Sequence, residues 1–237
     1  MYQDVIKLEK FYQSELGMAI KNRIFSTLKR HAFFHDEEKV GSFGFGEPYL
    51  NFTDKKKILV FNFFSKKIGA KKNVLNEKIF NILLDEERLP IEDNFFDHIF
   101  CVHYLENSKN LKKTLRELWR VLAPGRKIYI ILPNKKSSWS FSSQSPFSSG
   151  FSFSKNQINQ IFEDNFFETQ LIERLIYFPS WNSSLMLKNK FFLERIGPYF
   201  WRLFNGFYLC VATKRIYANS SQKNFSFVKK RKKAEQF

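Results

Sequence analysis

The sequence has little of what secreted, metal-binding or membrane-spanning proteins need. Its 237 residues include two cysteines, Cys101 and Cys210, and both lie in apolar stretches, which predicts buried free thiols in a reducing compartment. No His, Cys and carboxylate residues have the spacing of a metal site. No apolar run approaches the ~20 residues that cross a bilayer, and residues 1–16 lack the apolar core of a signal peptide. We therefore expect a cytoplasmic protein without a transmembrane segment.

Acidic residues are scarce relative to basic ones, with 23 Asp and Glu against 39 Lys and Arg and a formal net charge of +16. Such a charge suits contact with nucleic acid. Mutational bias is a competing explanation, because lysine, phenylalanine and asparagine, all frequent here, share A+T-rich codons. The basic residues are spread along the chain except in residues 219–237, which contain the run 229–233 and are predicted to form a disordered basic tail. Weak contact of this tail with nucleic acid is the macromolecular interaction that the charge suggests.

Hydrophobic patterning predicts one α/β domain over residues 1–218. Residues 1–33 are expected to be helical, with Ile20, Ile24 and Leu28 at helical spacing, and Ser154 and Gln157 form a capping box that opens a later helix. Strands are predicted at residues 57–64, 79–84, 96–103, 127–132, 169–178 and 207–213. A helix over residues 111–122 is expected to stop at 123–125, and residues 134–153 are predicted to form a Ser- and Phe-rich loop.

Glycine is used sparingly, with nine in the chain, and two of them flank Phe45 in a turn after the short apolar run 39–43. In sheets built from alternating strands and helices, ligands bind at the carboxyl ends of the strands, beside the first glycine-rich turn. Glycine lets the backbone approach the ligand, and the N-terminus of a following helix presents free N–H groups. Gly44, Phe45 and Gly46 are therefore candidate binding residues.

Three segments follow one another in a specific order between residues 85 and 134. An acidic turn, DEERLPIEDNFFD at 85–97, leads into a strand; Leu105 and Glu106 follow that strand; and LRELWRVLAPG at 115–125 precedes a strand that ends at 132–134. In this order they resemble the acidic turn, the loop after the fourth strand, and the fifth helix and strand of class I S-adenosylmethionine-dependent methyltransferases, closest to the methyltransferase type 11 group. We expect the likeness to extend over residues 35–215.

The resemblance implies a fold, a cofactor and a set of contacts. The fold is α/β: a Rossmann-like, doubly wound, mostly parallel sheet of seven strands, with an antiparallel last strand and helices on both faces. The cofactor is S-adenosyl-L-methionine, bound across the carboxyl edge of the sheet. Its implied contacts are the glycine turn at the methionine and ribose (Gly44, Phe45, Gly46), the acidic turn at the adenine (Asp85, Glu86) and the wall beneath the sulfonium (Cys101, Val102, His103). His103 is the candidate general base for an acceptor that must lose a proton.

The chain departs from the family pattern at three positions. Ser42 replaces an acid and Pro48 replaces the third glycine of the first turn. Asn62 falls where the second strand should end in an acid that binds the ribose hydroxyls, and it is kept as a candidate cofactor contact. Its neutral hydrogen bonds are about half as strong as the charge-assisted ones of an acid. Two alternatives to an active enzyme on an unidentified acceptor stay open: a catalytically weak or inactive binding or regulatory protein, and an RNA-directed methyltransferase.

The methyl acceptor is not identified by any motif. The N-terminal helical segment, the 134–153 loop and residues 180–204 are the least family-like parts and carry many aromatic residues, among them Trp139, Phe147 and Trp201. These residues could stack on a large apolar or planar acceptor. Packing alone is the competing explanation, because insertions over a core need apolar undersides.

Overall fold

The computed structural model describes residues 5–50, 57–65, 79–84, 87–142, 145–148, 150–180 and 188–216, without the side chains of Glu47 and of residues 79–81. The helices within these ranges are α1 (Val5–Gln13), α2 (Glu15–His31), α3 (Leu111–Val121), α4 (Lys155–Asp164) and α5 (Lys190–Phe200). The strands are β1 (Lys39–Gly44), β2 (Leu59–Ser65), β3 (Ile79–Leu84), β4 (Phe96–Val102), β5 (Leu122–Pro133), β6 (Phe167–Leu175) and β7 (Phe207–Lys214).

The seven strands form one sheet in the order β3–β2–β1–β4–β5–β7–β6. β1 pairs in parallel with β2 and β4, β2 with β3, and β4 with β5, whereas β7 is antiparallel to both β5 and β6. The mostly parallel sheet with an antiparallel last strand is thereby confirmed. Because β1 to β6 run in one direction, their carboxyl ends share one side of the sheet, called the carboxyl edge below.

Helices cover both faces of the sheet, which is why the central strands are apolar at consecutive positions. On one face, α1 and α2 bury residues such as Leu8 and Ile24 against β1, β2, β4 and β5. On the other face, Leu118 of α3 and Ile158 of α4 pack against the same sheet. None of the helices in the described ranges is both long and apolar enough to span a bilayer.

Both cysteines are free and buried, as the sequence predicts. Cys101 in β4 and Cys210 in β7 belong to the core on the α3 and α4 side of the sheet. Burial raises the pKa of both thiols well above the usual range, because the thiolate would lose its hydration there. The two thiols are therefore protonated core groups rather than nucleophiles.

Two helices begin at serines that cap them. Ser14 Oγ accepts a hydrogen bond of 3.1 Å from Gly17 N at the start of α2. At the start of α4, Ser154 and Gln157 form the predicted capping box. Each cap satisfies backbone N–H groups that the first turn of a helix leaves without a partner, so these serines fix where the helices start.

The structure differs from the expectation around β5. α3 ends at Val121, earlier than predicted, because Leu122 already pairs with Phe96 of β4. The register then shifts before the next pair, and Gly125, with φ of 70°, lies in this irregular stretch. Residues 219–237, predicted to form the basic tail, lie outside the described residues.

The predicted 134–153 loop packs against the protein. Its described part contains two short 3-10 helices, Ser138–Ser140 and Pro146–Ser148. These helices bury Trp139 and Phe147 completely. Asn134 and Phe153 form a parallel bridge that joins the two ends of the segment. The loop therefore adds a packed layer at the end of β5.

Arg120 in α3 holds the acidic turn that leads into β4. Its guanidinium donates hydrogen bonds to Leu89 O (2.9 Å), Ile91 O (2.7 Å), Asp93 Oδ1 (2.7 Å) and both carboxylate oxygens of Glu117 (2.8 and 3.0 Å). Glu117 in turn accepts a bond of 2.9 Å from Leu89 N. The hydrogen bonds from Arg120 lower the pKa of Glu117. These hydrogen bonds, called the Arg120 clamp below, fix the turn that directly follows Asp85 and Glu86, the two predicted adenine contacts.

We expect Arg120→Ala to lower the free energy of unfolding by about 2 kcal/mol, because several charge-assisted bonds are lost from a partly exposed site. Arg120→Lys should recover only part of this, since an ammonium cannot reproduce the fork of donors. Urea unfolding followed by circular dichroism measures both variants. Lys112→Ala, on the exposed face of the same helix, is the control. An Arg120→Ala variant as stable as Lys112→Ala would contradict the Arg120 clamp.

Candidate active site

β1 and β4 end side by side at the carboxyl edge, and their end residues interlock through the backbone. Gly44 pairs with Val102 and has φ of 86°, in the left-handed region that favours glycine. A Cβ at this position would overlap the Val102 carbonyl oxygen. That oxygen accepts a hydrogen bond of 2.7 Å from Phe45 N. Glycine is therefore required at position 44, and the turn predicted to bind a ligand is held directly against the end of β4.

A chain of four buried polar side chains lies at this junction. Tyr49 Oη donates to Tyr12 Oη at 2.8 Å, and Tyr12 Oη lies 2.9 Å from His103 Nε2. His103 Nδ1 lies 3.1 Å from Glu106 Oε1. The four residues come from α1, from the turn after β1 and from the loop after β4. His103 itself has φ of 55°, a conformation uncommon for a residue other than glycine and often found at functional sites.

The chemistry of the groups sets the direction of these hydrogen bonds. A carboxylate can only accept, so His103 Nδ1 carries the proton that is donated to Glu106. His103 Nε2 is then the acceptor for the Tyr12 hydroxyl, which in turn accepts from Tyr49. Burial raises the pKa of both phenols, and the negative charge of Glu106 adds to this for Tyr12. The chain thus consists of two neutral phenols that end on a basic imidazole nitrogen oriented by a carboxylate.

Aromatic rings enclose the polar chain. Tyr12 stacks on Phe45 with ring centroids 5.3 Å apart and planes at 17°. The Phe147 ring lies 4.4 Å from the His103 ring, and Trp139 makes an edge contact with Phe147 at 6.1 Å. α1 and the two short 3-10 helices, Ser138–Ser140 and Pro146–Ser148, therefore close over the ends of β1 and β4. His103 and Glu106 are both at most 2% exposed in this arrangement.

The structure brings most of the predicted site residues together. The turn and wall residues that meet at the junction are Gly44, Phe45, Gly46, Cys101, Val102 and His103. Asn62 lies elsewhere: it is buried within β2, level with Ser42 of β1, while the strand continues to Ser65 at the carboxyl edge. Asp85 and Glu86 directly follow the end of β3 and lie outside the described residues. Phe141 and Phe151 of the 134–153 loop are exposed, whereas Trp139 and Phe147 are buried.

Two buried polar atoms at or near the junction could serve a bound ligand. Ser42 Oγ and Glu106 Oε2 have no hydrogen-bond partner among the described residues. A Cβ at Gly46 would overlap Ser42 Oγ, so the backbone of the turn lies directly over the position where the family pattern has an acid. The second oxygen of Glu106 offers a negative charge suited to a sulfonium or ammonium group. These features fit S-adenosylmethionine. In the described residues, no cluster of three or more His, Cys, Asp and Glu could hold a metal ion.

Sequence reasoning missed three members of the polar chain. Tyr12 and Tyr49 were not singled out, and Glu106 was noted only as part of the loop after β4. Tyr12 and His103 are 91 positions apart, and Tyr12 and Tyr49 are 37 apart. One signal for this site is present in the sequence: Tyr12 lies on the apolar face of α1, and a buried tyrosine hydroxyl requires a hydrogen-bond partner.

We expect Tyr12→Phe to lower the free energy of unfolding by about 1–3 kcal/mol, because it leaves Tyr49 Oη and His103 Nε2 without their buried partner. The wild type should also lose stability as the pH rises above about 10: the folded phenols keep their protons, whereas the unfolded phenols release theirs. The variant should show a shallower loss. Urea titrations at neutral and alkaline pH test both effects, with the exposed Tyr199→Phe as the matched control. Equal stability and equal pH slopes in the two variants would refute the role of the buried phenol.

A family model described as a methyltransferase domain matches residues 43–130, from the glycine turn to β5. Among curated proteins, the ubiquinone/menaquinone biosynthesis C-methyltransferase UbiE of Chromobacterium violaceum is 39% identical over 49 residues. This match covers 21% of the chain and 20% of that enzyme, so the chain spans about a fifth of the curated relative it matches.

Solved structures share the fold over nearly the whole chain. The [4+2]-cyclase SpnF has a TM-score of 0.63 at 14% identity, covering 86% of this chain and 84% of its own. A SAM-dependent methyltransferase from Thermotoga maritima has a TM-score of 0.60 at 14% identity, covering 89% and 96%. At such identities the likeness concerns the fold, and a fold hosts more than one reaction. Over residues 43–130 the chain matches a methyltransferase domain, and the order and direction of its seven strands are those of the Rossmann-like methyltransferase fold.

Proposed function

We propose that the chain transfers a methyl group from S-adenosylmethionine to an acceptor bound at the carboxyl edge, beside β1 and β4. The observation that carries the proposal is the junction of Gly44 and Val102, with the His103–Glu106 pair directly beside it. Gly44, Phe45 and Gly46 would hold the methionine and ribose, and Asp85 with Glu86 the adenine. Cys101, Val102 and His103 would form the wall near the sulfonium. The cofactor, when bound, supplies an electrophilic methyl group.

The protein's own contribution is position, exclusion of water and a place for a proton. The Tyr12, Phe45 and Phe147 rings exclude water from the space beside His103. An acceptor held there can align with the methyl group without competition from solvent. A planar acceptor ring would fit between these aromatic rings. The Chromobacterium violaceum relative is named as a methyltransferase of ubiquinone and menaquinone biosynthesis. Tyr12 lies on α1, so a displacement of α1 would open the space between these rings to an acceptor.

His103 is proposed as the general base. Its Nε2 accepts a hydrogen bond from the Tyr12 hydroxyl in this structure. An acceptor that displaces Tyr12 would place its own acidic proton at the same nitrogen. Glu106 would hold the ring in this tautomer and stabilise the imidazolium that forms. Glu106 is therefore a positioning residue for His103.

We expect S-adenosylmethionine and S-adenosylhomocysteine to bind with micromolar affinity in calorimetric titrations of the full chain. Asp85→Ala should weaken binding by about 10-fold or more, because it removes the carboxylate proposed for the adenine amino group. The control is Asp36→Ala, in the turn before β1 at the opposite edge of the sheet. A folded protein that binds neither compound at millimolar concentration would refute the proposal.

The same titration locates the ribose. The family pattern assigns the ribose contact to Asn62, as the residue at the end of the second strand. In the structure, β2 ends at Ser65. Asn62→Asp and Ser65→Asp each restore a carboxylate at one of these positions. The variant at the ribose should tighten binding about 10-fold, since an acid makes charge-assisted bonds to the hydroxyls. Tightening by Ser65→Asp alone would reject Asn62 as the ribose contact, and no tightening by either would reject both.

Two other functions remain as alternatives. The burial of Cys101, Val102 and His103, together with Ser42, Pro48 and Asn62, favours a binding or regulatory protein of the same fold. Transfer of a labelled methyl group from S-adenosylmethionine into a cell extract, lost on His103→Ala, would exclude that alternative.

The other alternative, an RNA-directed methyltransferase, is based on the basic tail. This hypothesis predicts that the chain retains RNA at low salt and that retention weakens when residues 219–237 are deleted. Absence of such retention would exclude it.

A further inference from the structure

The segment that joins β6 to β7 exposes a row of large apolar side chains. Phe191 is 80% exposed, Tyr199 85% and Phe200 77%. Further exposed side chains in the same segment are Phe192, Leu203 and Phe204. We call these six residues the α5 apolar surface. Single exposed apolar residues are ordinary, but a contiguous group of this kind usually marks an interaction site.

The helix is fixed to the protein by its opposite side. Gly197 lies so close to the Tyr177 ring that a Cβ would overlap it. Glu194 accepts hydrogen bonds from Arg23 of α2 and from the Tyr177 backbone N–H. Trp201 Nε1 donates to Tyr177 O at 2.9 Å. The exposed rings therefore belong to an anchored helix whose outer side is apolar.

Positive charge accompanies the apolar surface. The exposed cations of this segment are Lys188, Arg195 and Arg202, and Lys190 is half-buried at the start of α5. Glu194 is the one acid in residues 188–204, and it faces inward onto Arg23. Phe191, Arg195 and Tyr199 follow one another at four-residue intervals, so they lie in one stripe of the helix. The outer side of α5 is thus aromatic and cationic.

A cavity of about 440 Å³ lies between α2 and α5, beside Phe191. Its polar lining residues are Asn22, Arg23, Ser26, Lys190, Glu194 and Arg195. Arg23 is already paired with Glu194, whereas Lys190 and Arg195 add two positive charges. Ammonium and guanidinium groups with amide and hydroxyl donors suit a phosphate group.

We propose that the α5 apolar surface docks on the anionic face of a phospholipid bilayer. The aromatic and leucine side chains would enter the boundary between head groups and acyl chains, and the four cations would contact lipid phosphates. The cavity between α2 and α5 would take one of these head groups. Phe191, Phe200 and Leu203 lose contact with water in such a boundary, whereas a nucleic-acid interface is mainly polar. This proposal does not depend on methyl transfer.

Sedimentation of the full chain with vesicles tests the proposal. Binding is expected to vesicles of phosphatidylcholine with phosphatidylglycerol, and at least ~10-fold weaker binding to phosphatidylcholine alone. The double variant Phe191→Ser/Phe200→Ser should weaken binding to the anionic vesicles ~10-fold or more. Phe33→Ser, 69% exposed just before β1 at the opposite edge of the sheet, is the matched control and should bind like the wild type. Circular dichroism and urea unfolding verify that each variant is folded.

Several outcomes would overturn the proposal. These are absence of vesicle binding, an equal loss in Phe33→Ser, and vesicle binding that survives Phe191→Ser/Phe200→Ser but disappears on Lys229→Glu/Lys230→Glu. Light scattering examines a further possibility: a dimer that the double variant dissociates would make a second copy of the chain the occupant of the surface. RNA retention that is reduced by the double variant, with vesicle binding unchanged, would make nucleic acid the occupant.

Discussion

The site depends on one backbone hydrogen bond, from Phe45 N to Val102 O. It forms because Gly44 has no Cβ, so the turn after β1 can approach the end of β4. Beside this contact, Phe45 stacks on Tyr12, and His103, the residue after Val102, has a left-handed φ of 55°. The glycine turn, the proposed base and the aromatic cover are consequently parts of one arrangement, and a change at the junction displaces all of them.

In the polar chain beside that junction, each hydroxyl and each ring nitrogen has a partner. Tyr49, Tyr12, His103 and Glu106 form an ordered series of donors and acceptors in apolar surroundings, where a missing partner would be costly. The same arrangement joins α1 to the loop after β4. Opening the site therefore requires the Tyr12 hydroxyl to leave His103, and a ligand that binds there has to replace that hydrogen bond.

Local pattern was enough to predict most of the fold. The strands buried on both faces and the Ser154 capping box were predicted, because apolar runs and cap residues act over a few positions. The start of β5 was missed because Leu122 pairs with Phe96, a contact outside the local sequence. The first glycine-rich turn and the likeness to a family predicted residues 44–46 and 101–103 as one site; the structure places them side by side, and their contacts with a cofactor stay predictions. Tyr12, Tyr49 and Glu106 were not assigned, since their roles arise from contacts between distant segments.

The position of β7 has a consequence for how the protein is made. Within the described strands, β6 pairs with β7 and β7 alone connects it to β5. β6 therefore remains an unpaired edge until residues 207–214 have been synthesised, and the C-terminal half of the sheet closes late. Because the entropy of closing a loop grows only slowly with its length, the 31 residues between β6 and β7 add little to this delay. That connection is thus free to lengthen and to acquire a helix of its own without disturbing the order of the strands.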